Sequence, residues 1–297
     1  MKTRILNILM AAVLMSGAVF TLTAHTYAAD TASAREEITA SPVTQKFVLD
    51  AGSTQTGQFK VVNTGDIAFD FTVYAKPYSV QGQNYSPNYT DESAARADAY
   101  KWVSFDITKG TLNPGDSQDI TYTIDVPKGA SIGGHYGVLF AETQPKQAEG
   151  NQVARKKRVG TILRVNVNGN INEKGSVLRS SIPGFQFSPP LQASLDVKND
   201  GNVDFNVDSN IEVHDVFGNL KYKDKKSNIV YPDTTRHIEQ NWQSAAWLGL
   251  YKVDLHASYL GNDFKVSHYV LMIPRWLIAL VFMLLVGGAY AAYIRRH

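Results

Sequence analysis

The 297-residue chain carries 29 basic and 27 acidic side chains, a net charge of +2, and no cysteine. Disulfide frameworks and thiol chemistry are thereby excluded, so each exported domain must be large enough to bury a core of its own. The positive balance belongs to the two ends. Without Lys2, Arg4, Arg275, Arg295 and Arg296, 24 basic residues stand against 27 acidic ones, a net of −3 that gives nucleic-acid binding no electrostatic support.

Lys2 and Arg4 open the chain, an apolar run follows from Ile5, and small residues surround Ala28. This order predicts a signal peptide over 1–28, with Ala32-Ser33-Ala34 as a second acceptable cleavage site. An exported chain without cysteine suggests a bacterial surface, most naturally a Gram-positive-like one.

From there the dominant period is two. Ile67, Phe69, Phe71 and Val73 alternate with small or polar residues, as do Ile120, Tyr122 and Ile124, then Leu191, Ala193 and Leu195, then Val203, Phe205 and Val207. Alternation means strands with one face on a core and the other in water. Many short strands separated by Gly, Pro, Asn and Asp predict an all-β chain of two tandem immunoglobulin-like β-sandwich domains, over 36–171 and 176–270.

An internal repeat supports the pair. Asn63-Thr64-Gly65 matches Asn199-Asp200-Gly201, Pro114 before Ile120 matches Pro232 before Ile238, and Gly134-x-Tyr136-x-Val138 matches Gly249-x-Tyr251-x-Val253. Each Asn-x-Gly reads as a tight hairpin whose residues tolerate positive φ. Asn63 and Pro114 are 51 positions apart, Asn199 and Pro232 only 33, so domain 1 holds an insertion of 18 residues, placed within 80–101. Within it residues 91–100 predict a short helix with Thr90 as N-cap. A charged hairpin spans 144–158.

Residues 276–294, WLIALVFMLLVGGAYAAYI, carry no charge. As a helix they would be about 28 Å long, enough to cross a bilayer core. Trp276 and Tyr293 lie at its rims, and the basic tail 295–297 predicts a single-pass cell-membrane protein with its N-terminal part outside and its C-terminus in the cytoplasm.

The sequence shows no catalytic constellation. It has no phosphate-binding glycine loop and no Gly-x-Ser-x-Gly, and no two exported histidines are spaced as zinc ligands on a helix. A non-enzyme without cofactor or metal is expected. His135 falls in a turn beside Gly133 and Gly134, while Asp204, Asn206 and Asp208 read as the wet face of a strand. The ligand-binding candidates are Tyr78, Tyr85 and Tyr89, whose rings could stack on sugars, and the run Arg155, Lys156, Lys157 and Arg158, which could meet anionic wall polymers. Tyr100 and Trp102 read as packing within the insertion. Free sheet edges are a further means of recruiting a partner.

Several segments resemble the WxL-interacting proteins of Gram-positive cell surfaces: Leu49-Asp50-Ala51-Gly52-Ser53-Thr54-Gln55-Thr56, Val61-Val62-Asn63-Thr64-Gly65, Gly82-Gln83-Asn84-Tyr85, Asn113-Pro114-Gly115-Asp116-Ser117, Val126-Pro127-Lys128 and Gly133-Gly134-His135-Tyr136. The resemblance implies a non-enzymatic scaffold with a peptidoglycan-binding first domain and a second domain that binds surface proteins. The expected partners are therefore peptidoglycan or another wall polymer, cell-surface proteins, and the lipid bilayer through the C-terminal helix. Two alternatives stand beside it. One is a pilus-chaperone-like or adhesin subunit acting by strand complementation. The other is an accessory subunit of a membrane complex, packing through the small residues Gly287, Gly288, Ala291 and Ala292.

Overall fold

A computed structural model describes residues 35–144 and 156–296. The expected signal peptide, Arg155 and His297 lie outside the described residues.

Strands dominate, as the two-residue period requires. The first half contains β1 (Ile38–Ser41), β2 (Thr44–Leu49), β3 (Thr54–Asn63), β4 (Phe69–Pro77), β5 (Ser79–Gln81), β6 (Ser86–Asn88), β7 (Val103–Phe105), β8 (Lys109–Leu112), β9 (Ser117–Asp125), β10 (Gly133–Gln144) and β11 (Arg158–Val167). They form a four-stranded sheet, β1-β3-β9-β7, and a five-stranded sheet, β2-β11-β10-β4-β8. Phe59, Ile120 and Tyr122 from the first sheet close on Phe71, Leu139 and Leu163 from the second, all fully buried.

The second half contains β12 (Gly175–Ser181), β13 (Phe185–Gln186), β14 (Leu191–Asn199), β15 (Phe205–Asp215), β16 (Leu220–Val230), β17 (Thr235–Trp242), β18 (Gly249–Tyr259) and β19 (Asn262–Met272). Here the sheets are β12-β14-β17 and β13-β19-β18-β15-β16. Leu191, Leu195, Ile238, Ile211 and Leu255 fill the space between them. Among the described residues there is one α-helix, α1 (Arg275–Arg296), and none of its residues is buried. It is long and apolar enough to cross a membrane.

The sequence repeat is a repeat of topology. β3 pairs with β9 as β14 pairs with β17, and β10 lies between β4 and β11 as β18 lies between β15 and β19. The Asn-x-Gly segments are not the positive-φ turns expected from the sequence, since neither Asn63 nor Asn199 has positive φ. Their side chains do the work instead. Asn63 Nδ2 donates to the Ile67 and Leu112 carbonyls at 2.8 and 3.1 Å, and its Oδ1 accepts from the Gly65 amide at 3.0 Å. Asn199 does the same with Val203, Val230 and Gly201, at 2.8, 2.9 and 2.8 Å. Both are fully buried, so one amide satisfies three backbone groups that water cannot reach.

The glycines of the third repeated motif clear space. A Cβ at Gly134 would collide with the Tyr136 hydroxyl, and one at Gly249 with that of Tyr251, because residues two apart on a strand share a face.

The insertion departs from its expected helix. β5 and β6 make a hairpin, turns follow, and only Ala99–Trp102 forms one short 3-10 turn. Asp91 accepts from the amide and hydroxyl of Ser93, and Arg96 sits at φ +62°, which a continuing helix cannot contain. Thr90 bonds Asn88 instead of capping.

Replacing Asn199 by Ala would strand two buried carbonyls and one amide. Urea unfolding of the detergent-solubilised protein is expected to show a loss of about 3 kcal/mol, and Asn63→Ala a similar one.

Candidate functional site

The expected ligand-binding tyrosines largely turn inward. Tyr78 and Tyr85 are 6% and 8% exposed. Their ring centroids lie 5.6 and 6.1 Å from that of Tyr231 in the second domain, and Tyr136 meets the same ring at 4.8 Å. The Tyr85 hydroxyl bonds that of Thr234 and accepts from the Tyr231 amide at 3.3 Å, while Arg236 lies 4.6 Å above the Tyr85 ring. Burial pushes the phenol pKa values of all four tyrosines upward, so these rings stay neutral across physiological pH. The expectation of sugar-stacking rings is corrected for Tyr78 and Tyr85, whose faces are used in joining two domains.

Tyr89 packs edge-on against Phe140 at 5.1 Å, and the Arg158 guanidinium lies 4.2 Å from the Phe140 ring and 5.7 Å from that of Tyr89. Lys156 pairs with Glu142 at 3.3 Å, and Lys157 donates to the Glu36 carbonyl. The described residues of the basic run are exposed, and each has a partner within the domain, a carboxylate for Lys156, a backbone carbonyl for Lys157 and an aromatic ring for Arg158. Among the candidates, Tyr89 is brought together with Arg158 and, at 6.0 Å between ring centroids, with Tyr78.

A buried ion pair completes the seam. Arg164, from β11, meets Asp204, just before β15, and the Tyr136 hydroxyl donates to the same carboxylate at 3.0 Å. Asp204 is 3% exposed, which corrects its reading as part of a wet strand face; Asn206 and Asp208 are exposed as expected. Beside it the Gly134 amide donates to the Asn202 carbonyl at 2.7 Å, and Gly133, at φ +112°, has no room for a Cβ against that carbonyl. His135 is buried in β10 and not in a turn, with Nδ1 2.6 Å from Asp98 and Nε2 2.8 Å from the Ser131 carbonyl. No group of three potential metal ligands occurs among the described residues.

A polar trough lies on the outer face of β12-β14-β17. Alternation puts Leu191, Ala193, Leu195 and Val197 into the core and leaves Gln192, Ser194 and Asp196 outside. The ladder sets these opposite Asn241, Glu239 and His237 of β17. Arg179 and Ser181 of β12 form one wall. Two adjoining hollows of about 360 and 490 Å³ share Ser181, Ser194 and His237. The His237 ring is fixed by Asp196, 2.6 Å from Nδ1, and its Nε2 faces Glu239 at 3.5 Å. A nucleophilic hydroxyl would have to stand where that carboxylate is, so the arrangement suits hydrogen bonding to a ligand and not acyl transfer. Gln83, from the domain 1 insertion, closes one end and accepts from the His237 amide at 3.1 Å.

The alternation at Ser194, Asp196, His237 and Glu239 marks a wet strand face, but nothing local shows that two such faces adjoin. Arg164 and Asp204 were missed for the opposite reason: on alternating strands they look solvated, and only a second domain buries them.

No protein-family model and no curated protein matches the chain. Among solved structures it is similar to a class 5 fimbriae chaperone, CfaA, at 13% identity over 80% of this chain and all of that one, with a TM-score of 0.41. It is also similar to a chain of the CsuC–CsuE chaperone–tip adhesion subunit pre-assembly complex of Acinetobacter baumannii Csu pili, at 12% identity over 80% and 98% of the two chains, with a TM-score of 0.40. A chain of the Salmonella enterica SafA pilin–SafB chaperone complex matches at 9% identity over 81% and 98%, also with a TM-score of 0.40. Overlays this loose assign no family, and the two sandwiches stand on their own ladders.

Asp204→Ala would leave the Arg164 guanidinium buried beside no carboxylate, at a cost of about 3–5 kcal/mol. In denaturant titrations, Asp204→Ala combined with Arg164→Leu is expected to recover much of that loss.

Proposed function

We propose that the protein is a membrane-tethered, non-enzymatic scaffold that holds another surface protein by an extended segment of that partner. The segment lies along β12 and places side chains in the trough. One observation carries this reading: β12 keeps an uncovered ladder edge directly beside the trough.

The edges of β16 and β17 are guarded. On β16, Lys221, Lys223 and Lys225 pair with Asp215, Glu212 and Asp208 of β15, and a row of lysines discourages strand addition. Along β17, the His237 amide is taken by Gln83, the Glu239 carbonyl accepts from Lys226 at 2.8 Å, and the Asn241 carbonyl accepts from Tyr222 at 3.2 Å. β12 has neighbours on one side only, and a bulge between Val177 and Arg179 leaves Leu178 57% exposed at the trough wall. A peptide paired there gains main-chain hydrogen bonds from the edge and selectivity from Arg179, Asp196, His237 and Glu239.

α1 supplies the tether, and Arg295 with Arg296 at its last turn favours a cytoplasmic C-terminus with both sandwiches outside. Kinship with the WxL-interacting proteins belongs to this proposal and rests on the sequence motifs. Binding to wall polymers is a separate element of it, supported by those motifs alone.

The test uses the full chain in lipid nanodiscs with a photo-crosslinking amino acid at Leu178, or at Asp119 in domain 1 as control. Incubated with envelope proteins, the Leu178 variant is expected to give a discrete adduct that Arg179→Glu with His237→Ala weakens at least tenfold. Equal adducts from both positions would overturn the reading. Sedimentation with purified sacculi that is indifferent to those substitutions would assign wall binding to another surface.

A further inference from the structure

The end of domain 2 farthest from the seam is unusually apolar for a surface. Phe217 is 86% exposed, and Phe185, Trp247, Val216 and Leu248 are each between 57% and 59% exposed. They come from three loops far apart in sequence: 183–190, 216–218 and 243–248. None of these loops holds a charged residue, in a chain that is 19% charged.

The ladder shows that they meet at one level. Phe185 pairs with Leu271 and Gln186 with Met272, while Met272 pairs with Gly249 and Leu271 with Leu250. Asp215 pairs with Tyr251, so the turn holding Val216 and Phe217 overhangs that row. The Asp215 carboxylate accepts from the Phe217 and Asn219 amides at 2.9 Å each, which fixes the turn. The chain from β17 passes through Trp247 and Leu248 on its way to Gly249. Contiguous exposed apolar surface of this kind marks a contact with another apolar phase.

The chain path identifies that phase. β19 ends at Met272 and α1 begins at Arg275, three Cα steps that span about 11 Å at most. The headgroup zone of one leaflet is roughly 5–7 Å deep. A helix crossing the bilayer therefore holds this row of the sheet at the headgroups, and tips overhanging it point inward. Arg275, 4.9 Å from the Phe187 ring, and Trp276, 65% exposed, are suited to the same boundary. The charges beside the turn are paired, Asp215 with Lys221 at 3.0 Å and Asp254 with Lys252 at 3.2 Å in the hollow lined by Val216 and Gly218, and this pairing lowers the cost of approaching lipid.

We propose that the three loops form a foot that enters the interfacial zone of the bilayer crossed by α1, so that domain 2 stands on the membrane at a fixed tilt. This rests on the reading of α1 as the membrane anchor.

Because the chain has no cysteine, single-cysteine variants test it directly. Full-length Phe217→Cys, Leu248→Cys, Leu284→Cys in α1 and Asn262→Cys at the seam end are labelled with a nitroxide. Each is reconstituted into vesicles of phosphatidylethanolamine and phosphatidylglycerol, and collision with oxygen is compared with collision with a water-soluble nickel chelate. The expected order of the oxygen-to-nickel ratio is 284 highest, 217 and 248 severalfold above 262, and 262 water-like. If 217 and 248 match 262 while 284 is shielded, the foot is overturned and the anchor stands. If 284 is itself open to nickel, the anchor reading fails first. Spin–spin broadening at 217 that vanishes on dilution with unlabelled protein would mean that a second copy covers the loops, which also overturns the proposal.

Discussion

The arrangement of the two sandwiches depends on one buried ion pair. Arg164 and Asp204 come from different domains, and neither can be solvated where it lies, so each is tolerable only while the other is present. Such a pair contributes less to net stability than its geometry suggests, because desolvation offsets most of the attraction. Its value is in specificity: a displaced domain would expose one charge to a dry neighbour. Tyr136 adds a neutral donor to the same carboxylate, and its ring reaches Tyr231. Around this centre the insertion of domain 1 closes over the outer face of β10 and reaches the edge of β17 through Gln83. That contact also helps shape the trough, so the proposed binding face is a product of both domains although only domain 2 supplies its floor.

Much of the architecture was legible because alternation is a local property. Ile120, Tyr122 and Ile124 are fully buried, as their spacing indicates, and the two Asn-x-Gly segments do occupy equivalent corners. The mechanism at those corners was not legible. A short polar residue before glycine is the usual sign of a positive-φ turn, and the three-way amide bond of Asn199 becomes visible only when Val230, distant in sequence, is placed beside it. The insertion misled in a related way. Acids followed by alanines have helical propensity, but Tyr136 takes the Arg96 carbonyl at 2.7 Å, and tertiary pairing overrides the local preference.

The candidate site was less legible still. Aromatic residues in a long insertion look like ligand platforms when no neighbour is known, and Tyr78 and Tyr85 found theirs in Tyr231. The trough residues, by contrast, are ordinary polar side chains. What distinguishes them is the union of three strands and, among the described residues, an edge of β12 with no partner strand, neither of which periodicity reveals.

The seam also has a consequence for biogenesis. Synthesis proceeds from the N-terminus, so the first sandwich is complete before Tyr231 and Asp204 have left the ribosome. During that interval Tyr136 and Arg164 lack their partners, and the aromatic side of β10 is incompletely shielded. A newly made first half is therefore the species most in need of protection, and a truncation that stops at the linker between the halves should be stickier than the whole.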